Sequence, residues 1–271
     1  LRDQILFNIL GRPFDNAAPN VYLIAYKRAG IRAAFQARGG MEGIALTLNG
    51  SPTTGRPGAT ILELARDKGI EIPTLCFRPE LSPTGACRLC LVEVAGSRTL
   101  VASCHTPVAP NMVIQTHSPK VLKARTLVME LLLASHSGFC WSCDKANICE
   151  LRLIAADMGV GLPRFEARKR FYPLEEAGPY VVRDLNKCVQ CRRCVKACQE
   201  VKGAGVLSMA YRGFYCKLVA GRDGPLESEI CRDCAECVAV CPVGALTRTK
   251  DRFALVKESP FVLTGSGKVS R

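Results

Sequence analysis

The sequence has few of the features that mark a secreted or membrane-spanning protein. It contains no run of about 18 consecutive apolar residues, so we expect no transmembrane helix and no membrane insertion. Its N-terminus lacks the charged region, apolar stretch and small-residue cleavage site of a signal peptide. These absences predict a cytoplasmic protein in a reducing compartment.

Aromatic residues make up only 6% of the chain, and the chain has only three histidines. A net charge of +13 would suit nucleic acid, a membrane surface or an acidic partner. However, no aromatic residues alternate with basic ones and no nucleic-acid-binding module is recognisable, so no nucleic acid is expected. No G-x-G-x-x-G follows a strand pattern, and the P-loop-like 265–270 has Val269 where Ser or Thr is needed. The chain alone is therefore not expected to oxidise NADH.

Cysteine, in contrast, is abundant, with sixteen residues. Eight disulfides would suit a small secreted scaffold, whereas clustered cysteines in a reducing compartment favour metal binding. Bound thiolates would also offset much of the positive charge. All cysteines except Cys216, together with one histidine, fall into four groups. The groups are Cys76, Cys87, Cys90 and Cys104; His136, Cys140, Cys143 and Cys149; Cys188, Cys191, Cys194 and Cys198; and Cys231, Cys234, Cys237 and Cys241.

The last two groups share the spacing C-x2-C-x2-C-x3-C, followed by Pro242 in the second run and Gln199 in the first. This run is typical of bacterial ferredoxins, in which the fourth cysteine binds the other [4Fe–4S] cluster. The predicted ligand sets are therefore Cys188, Cys191, Cys194 and Cys241 for one cluster, and Cys198, Cys231, Cys234 and Cys237 for the other. The alternative is a structural zinc-binding protein that assembles on acidic partners, although zinc sites usually use paired C-x2-C units.

The first group is a [2Fe–2S] candidate, because its surroundings predict a β-grasp ferredoxin domain. Apolar residues alternate over 44–48 and Asn49-Gly50 favours a hairpin turn. Thr60 and Glu63 form a potential capping box for a short helix that ends at Gly69. A second hairpin over 91–104 then leads into Cys104.

The second group follows a predicted helix that starts at Ser118 and Pro119 and ends near His136. The helix is apolar along much of its surface, so we expect it to be largely buried. Three cysteines after it leave one cluster corner open, and an imidazole is a competent fourth ligand, as in Rieske centres. This favours a [4Fe–4S] cluster bound by His136, Cys140, Cys143 and Cys149. The alternative is a helix-end histidine that interacts only with the helix dipole or solvent.

The order of these groups resembles the N-terminal module shared by [FeFe]-hydrogenases, the large iron–sulfur subunit of complex I, NAD-dependent formate dehydrogenases and NAD-reducing hydrogenases. The stretches IPTLC, PTGACRLCLVEV, CVQCRRCVKAC and CPVGAL carry the resemblance, which covers residues 41 to about 249. It implies an α+β protein with one [2Fe–2S] and three [4Fe–4S] clusters. The predicted domains are an extension over 1–40, which is either disordered or binds a partner, a β-grasp domain over 41–117, a small helical domain over 118–178, a two-cluster ferredoxin domain over 179–250 and a tail over 251–271.

No cysteine follows Cys241, so no catalytic metal domain is expected in this chain. Retention of both ferredoxin runs resembles the hydrogenase and formate dehydrogenase branch. The resemblance implies an electron-relay subunit between a flavin- and NAD(H)-binding diaphorase subunit and a catalytic subunit, most simply a hydrogenase. An equivalent subunit of a formate dehydrogenase or of a complex I-like NADH dehydrogenase is the alternative.

Overall fold

The structure is a computed structural model that describes residues 43–136, 140–174, 180–226, 228–249, 262–263 and 269–270. The predicted extension over 1–40 and most of the predicted tail lie outside the described residues. Within the part of the chain that is described, none of the helices has the length and apolar character needed to span a bilayer.

A five-stranded mixed sheet forms the N-terminal part. Its strands are β1 Ile44–Leu48, β2 Ser51–Gly55, β3 Leu91–Val94, β4 Val101–Ala102 and β5 Val113–Gln115, in the order β2-β1-β5-β3-β4. β1 runs parallel to β5, and the other neighbours are antiparallel. Asn49 and Gly50 adopt φ angles of 52° and 83°, as a tight hairpin turn requires. Both predicted hairpins are confirmed.

Helix α1, Ile61–Asp67, packs against this sheet. The Thr60 hydroxyl accepts from the Glu63 backbone N–H and the Glu63 carboxylate accepts from the Thr60 N–H, which confirms the predicted capping box. The helix buries Ile61 and Leu62 completely. The resulting core also contains the sheet residues Leu46, Val92 and Ile114 together with Cys90 and Cys104.

Helix α2, Pro119–Ser135, begins with the predicted Ser118 cap and Pro119. The prediction that this helix is largely buried is wrong for one face: Leu122, Leu127 and Leu131 are exposed by 41–49%. On its other face Arg125 is buried and donates two hydrogen bonds to the Leu91 carbonyl, at 3.0 and 2.7 Å. Burial lowers the pKa of Arg125 to about 10.

The remaining elements are short. Helix α3, Glu150–Asp157, follows 3-10 turns at Cys140–Ser142 and Ala146–Ile148. Two antiparallel strand pairs follow: β6 Val181–Arg183 with β9 Leu246–Arg248, and β7 Leu207–Ala210 with β8 Lys217–Ala220. Along the chain, helix α4, Arg193–Lys196, comes after β6 and continues into a π-helix at Ala197–Val201. Helix α5, Glu236–Ala239, comes between β8 and β9. Short 3-10 turns occur at Leu185–Lys187, Gly213–Tyr215 and Glu229–Cys231. A last pair joins β10 Val262–Leu263 to β11 Val269–Ser270.

Helices α4 and α5 occupy equivalent positions in the two cysteine runs. Each is preceded by a residue with positive φ, Arg192 at 64° and Ala235 at 46°. The repeated spacing in the sequence therefore corresponds to a repeated backbone turn.

Candidate metal centres

The four cysteines of the first group converge at the edge of the sheet. The Sγ atoms of Cys90 and Cys104 are 3.4 Å apart. The backbone N–H of Cys87 donates to Cys76 Sγ at 3.5 Å, and that of Leu75 donates to Cys87 Sγ at 3.4 Å. All four thiols are buried. The loop before Cys87 can follow this path because Gly85 adopts a φ of 61°.

Hydrogen bonds among these sulfurs separate their pKa values. Cys104 and then Cys87 lower the pKa of Cys76, and Cys104 lowers the pKa of Cys90 to about 6. The same contacts raise the pKa values of Cys87 and Cys104. Two of the four sulfurs are thus stabilised as thiolates, the form that binds iron.

The second group lies along the chain between the end of α2 and the two ferredoxin runs. His136 caps the C-terminus of α2. Its pKa is lowered by burial and by the Lys187 cation, while Asp184 and a hydrogen bond with the Lys187 backbone oppose that shift. A lowered pKa keeps the imidazole neutral, which is the ligating form. Cys149 is buried, Cys143 is half-buried and Cys140 is exposed.

The eight cysteines of the two ferredoxin runs line two separate cavities. The first cavity, which we name the central site, is lined by Cys188, Cys191, Cys194 and Cys241. The second, the distal site, is lined by Cys198, Cys231, Cys234 and Cys237. Each encloses about 360 Å³ of space free of protein atoms, part of it open to solvent. In both cavities, three cysteines of one run meet the fourth cysteine of the other.

Burial raises the pKa of five thiols in the two cavities, those of Cys188, Cys191, Cys194, Cys231 and Cys237. The pKa of Cys188 rises to about 11 and that of Cys191 to about 12 at the central site. At the distal site burial raises the pKa of Cys237 to about 12. Thiols in such surroundings become thiolates only when a metal replaces the proton.

Among the residues that the structure describes, no three His, Cys, Asp or Glu side chains converge closely enough to hold one metal ion. A structural zinc site needs four ligands at about 2.0–2.3 Å from a single ion. An iron–sulfur cubane instead takes one protein ligand at each iron, so its ligands stand farther apart. The crossed sets of four cysteines in the two cavities are the pattern expected for a pair of [4Fe–4S] clusters.

Several contacts join the other groups to the central site. The Thr84 hydroxyl, in the loop before Cys87, donates to the Cys191 carbonyl at 3.4 Å. From the second group, Lys145 Nζ donates to the Cys241 carbonyl at 3.1 Å. A Cβ added to Gly244 would lie 2.6 Å from Cys143 Sγ, so only glycine lets this thiol pack here.

A further set of hydrogen bonds joins the loop before Cys87 to the π-helix Ala197–Val201. The Glu200 carboxylate accepts hydrogen bonds from the Ser82 backbone N–H, at 2.8 Å, and from the Ser82 hydroxyl. Sequence reasoning missed Ser82, Thr84, Lys145 and Glu200. Their partners lie 93 to 118 positions away, and no local spacing signals such a contact.

Three family models match the chain in order. A 2Fe-2S iron-sulfur cluster binding domain matches residues 42–119, and an NADH-ubiquinone oxidoreductase-G iron-sulfur binding region matches 125–164. The ferredoxin-like domain of NADH-quinone oxidoreductase subunit 3 matches 178–247.

A chain in the crystal structure of an NAD+-reducing [NiFe]-hydrogenase in the H2-reduced state superposes with a TM-score of 0.69 at 31% identity. The match covers 77% of this chain and 88% of that one. The chain belongs to the family of iron–sulfur subunits found in NADH-quinone oxidoreductases and NAD-reducing hydrogenases. This membership confirms the resemblance inferred from the cysteine groups.

Two curated members of this family are longer than the chain. NADP-reducing hydrogenase subunit HndD of Solidesulfovibrio fructosivorans is 36% identical over 84% of this chain and 42% of its own length. The "G 2" subunit of the NADH-quinone oxidoreductase of Rhizobium meliloti is 40% identical over 72% of this chain and 23% of its own length. The chain thus spans less than half the length of these relatives.

Family membership shows a mixed α/β protein with a 2Fe-2S domain and ferredoxin-like 4Fe-4S domains. The number of [4Fe–4S] clusters, the ligand sets and the domain boundaries stay predictions.

Proposed function

We propose that this chain relays single electrons through iron–sulfur clusters. The electrons pass between a flavoprotein that exchanges them with NAD(H) and a catalytic subunit, for which a hydrogenase is the first candidate. The family supports this assignment, since its members include a hydrogenase subunit and a chain of an NAD+-reducing hydrogenase.

We assign one [2Fe–2S] and three [4Fe–4S] clusters. The proposed ligand sets are Cys76, Cys87, Cys90 and Cys104 for the [2Fe–2S] cluster; His136, Cys140, Cys143 and Cys149 for one [4Fe–4S] cluster; and the central-site and distal-site cysteines for the other two. The pairing of three cysteines with one from the other run in each cavity supports the crossed assignment.

The observation that carries the proposal is that cysteines of three groups share one apolar core. This central core contains Cys76 and Cys87 of the first group, Cys149 of the second and Cys191 of the central site. Leu75, Leu89, Met129 and Val243 fill the space among them. A closely packed apolar core holds cofactors at fixed separations, as a relay requires.

The contacts also indicate the order of the relay. Thr84 joins the first group to the central site, and Lys145 and Gly244 join the second group to it. The distal site shares both cysteine runs with the central site. We therefore place the central site between the [2Fe–2S] group and the histidine group, with the distal site as a branch.

In this role the clusters supply one-electron oxidation and reduction. The chain's own residues fix the cluster positions, shield them with apolar side chains and set the charge around each one. His136 contributes a neutral donor where thiolate would contribute a negative one.

A complex I-like NADH dehydrogenase is a second candidate for the complex, because the relative from an NADH-quinone oxidoreductase is 40% identical. The two candidates differ in the catalytic subunit that accompanies the chain. Purification of the native complex through this chain, followed by identification of the other subunits, separates them.

The relay itself can be tested in that complex. Under anaerobic conditions, NADH should generate electron paramagnetic resonance signals from the clusters of this chain. A complex with fully loaded clusters that stay oxidised in the presence of NADH, and also under hydrogen, would contradict the proposed function.

Cluster content gives a direct prediction. Anaerobically prepared protein should contain about fourteen iron atoms and as many acid-labile sulfides per chain, because one [2Fe–2S] and three [4Fe–4S] sites are assigned. Colorimetric iron and sulfide determination, with zinc measured alongside, checks this number. A folded preparation with zinc and almost no sulfide would instead support the structural zinc protein.

His136 should determine the stability and potential of one centre. His136→Cys should keep a [4Fe–4S] cluster but lower its midpoint potential, because thiolate donates more charge than imidazole and stabilises the oxidised cluster. His136→Ala should leave one iron without a protein ligand and make that cluster labile.

His105→Ala is the matched control, since His105 is exposed and directly follows a ligand of another group. Electron paramagnetic resonance during a redox titration follows each centre. If His136→Ala matches His105→Ala in every spectrum and midpoint, His136 is an ordinary helix-end histidine.

A further inference from the structure

Arg193 carries a buried charge within the first ferredoxin run. It is the first residue of α4, lies between the central-site ligands Cys191 and Cys194, and its side chain is 2% exposed. The neighbouring Arg192 is exposed. Two adjacent arginines thus occupy opposite environments.

The Arg193 guanidinium contacts three of the cluster-binding segments. Its Nη1 and Nη2 bind the two carboxylate oxygens of Glu150 at 2.7 and 2.8 Å. Nη2 also donates to the Phe77 carbonyl at 3.1 Å, and Nη1 donates to the Val240 carbonyl at 3.5 Å.

Each of these partners is the direct chain neighbour of a proposed ligand. Phe77 follows Cys76 of the [2Fe–2S] group, Glu150 follows Cys149 of the histidine group and Val240 precedes Cys241 of the central site. The planar, two-pronged cation therefore binds two backbone carbonyls and one carboxylate, each beside a cysteine of a different group. A lysine ammonium lacks this fork geometry.

The chain places Arg193 between two central-site ligands, although it is Arg192 that lines the cavity itself. Arg193 Nε is buried and has no hydrogen-bond partner among the described residues. A buried donor of this kind is costly unless an acceptor such as a cluster sulfur is nearby.

The distal site has the opposite charge at the equivalent position. Glu236 is the first residue of α5, as Arg193 is of α4, and it lines the distal cavity. Because reduction adds one negative charge and no proton to a cluster, a nearby cation favours the reduced state and a carboxylate opposes it.

We propose that Arg193 is a positioning residue that holds three cluster-binding segments together and raises the reduction potential of the central site. This inference rests on the proposed function, because it assumes that both sites hold clusters. Glu236, which lines the distal cavity, opposes reduction there.

The test uses the anaerobically purified complex that contains the full chain. Arg193→Gln, Arg222→Gln and Glu236→Gln are compared in redox titrations followed by electron paramagnetic resonance. At the wild-type midpoint of the central site, Arg193→Gln should lower its reduced-to-oxidised ratio at least several-fold. Arg222 is exposed and is not among the residues that line the two cavities, so Arg222→Gln removes the same charge from the surface and should change the ratio much less. Arg192 is unsuitable as this control because it lines the central cavity. Glu236→Gln should raise the ratio at the distal site.

A central-site midpoint in Arg193→Gln that equals the one in Arg222→Gln would overturn the proposal. If Arg193→Gln does not retain its clusters, Arg193→Lys replaces it. Arg193→Lys keeps the charge without the two-pronged geometry, so the midpoint should stay near the wild-type value. Amide hydrogen exchange near Phe77 and Glu150 should nevertheless become faster; unchanged exchange there would also overturn the proposal.

If the proposed function is wrong, the experiment gives a different result from a failure of the Arg193 proposal. The wild-type protein then holds no clusters, and hydrogen exchange alone tests the positioning role of Arg193. Faster exchange near Phe77 and Glu150 in Arg193→Gln than in Arg222→Gln supports that role, and equal exchange refutes it.

Discussion

Cys191→Ala is expected to stop electron transfer from NADH to the catalytic subunit in the intact complex. Cys191 is 8% exposed, lines the central site and belongs to the core that also contains Cys76 and Cys149. Loss of a ligand at the meeting point of three groups removes the route between them. The rate should fall by more than the ~10–100-fold that is typical when a residue supporting a metal ligand is lost.

The measurement compares two activities of the same complex. NADH-dependent reduction of a dye at the flavoprotein should stay near the wild-type rate, while NADH-driven turnover at the catalytic subunit should disappear. This split distinguishes an interrupted relay from a damaged complex.

Cys216→Ala is the matched control. Cys216 lies outside every proposed ligand set, and its carbonyl, which alanine retains, accepts hydrogen bonds from Arg170 and Gln190. This variant should keep both activities. Full catalytic turnover in Cys191→Ala, or an equal loss in Cys216→Ala, would refute the central position of the site.

Iron removal should unfold one part of the chain and leave another folded. Residues 180–249 form two-stranded pairs and helices of four residues, and cysteines supply part of their core. Isolated two-stranded hairpins are marginal in water, so the energy of cluster binding is needed to fold this part. Residues 44–115 instead contain a five-stranded sheet and a capped helix around an aliphatic core.

Hydrogen exchange measured segment by segment, before and after anaerobic treatment with a strong iron chelator, tests this difference. Protection over 180–249 should fall to that of an unfolded chain, whereas β1, α1 and β5 should keep most of theirs. Chelator already saturated with iron serves as the control. Equal loss in both parts would show that the N-terminal sheet also depends on its cluster.

The sequence by itself determined the local structure and the chemistry of the ligands. The Asn49-Gly50 turn, the Thr60–Glu63 capping box and the Ser118 cap are each formed by residues at most three positions apart. Their hydrogen bonds and φ angles depend little on the rest of the chain. The cysteine spacing likewise predicted the sets that meet in the two cavities, because the ferredoxin run has few geometric solutions.

Only the tertiary structure decided how these parts meet. The apolar pattern of α2 predicted a buried helix, but the packing buries Arg125 and leaves Leu131 exposed. The pair Arg192-Arg193 reads as two equal charges, yet one is exposed and the other binds the Phe77 carbonyl, 116 positions away. Such contacts depend on which distant surfaces fit together and exclude water, a property of the packed chain that no short stretch of residues contains.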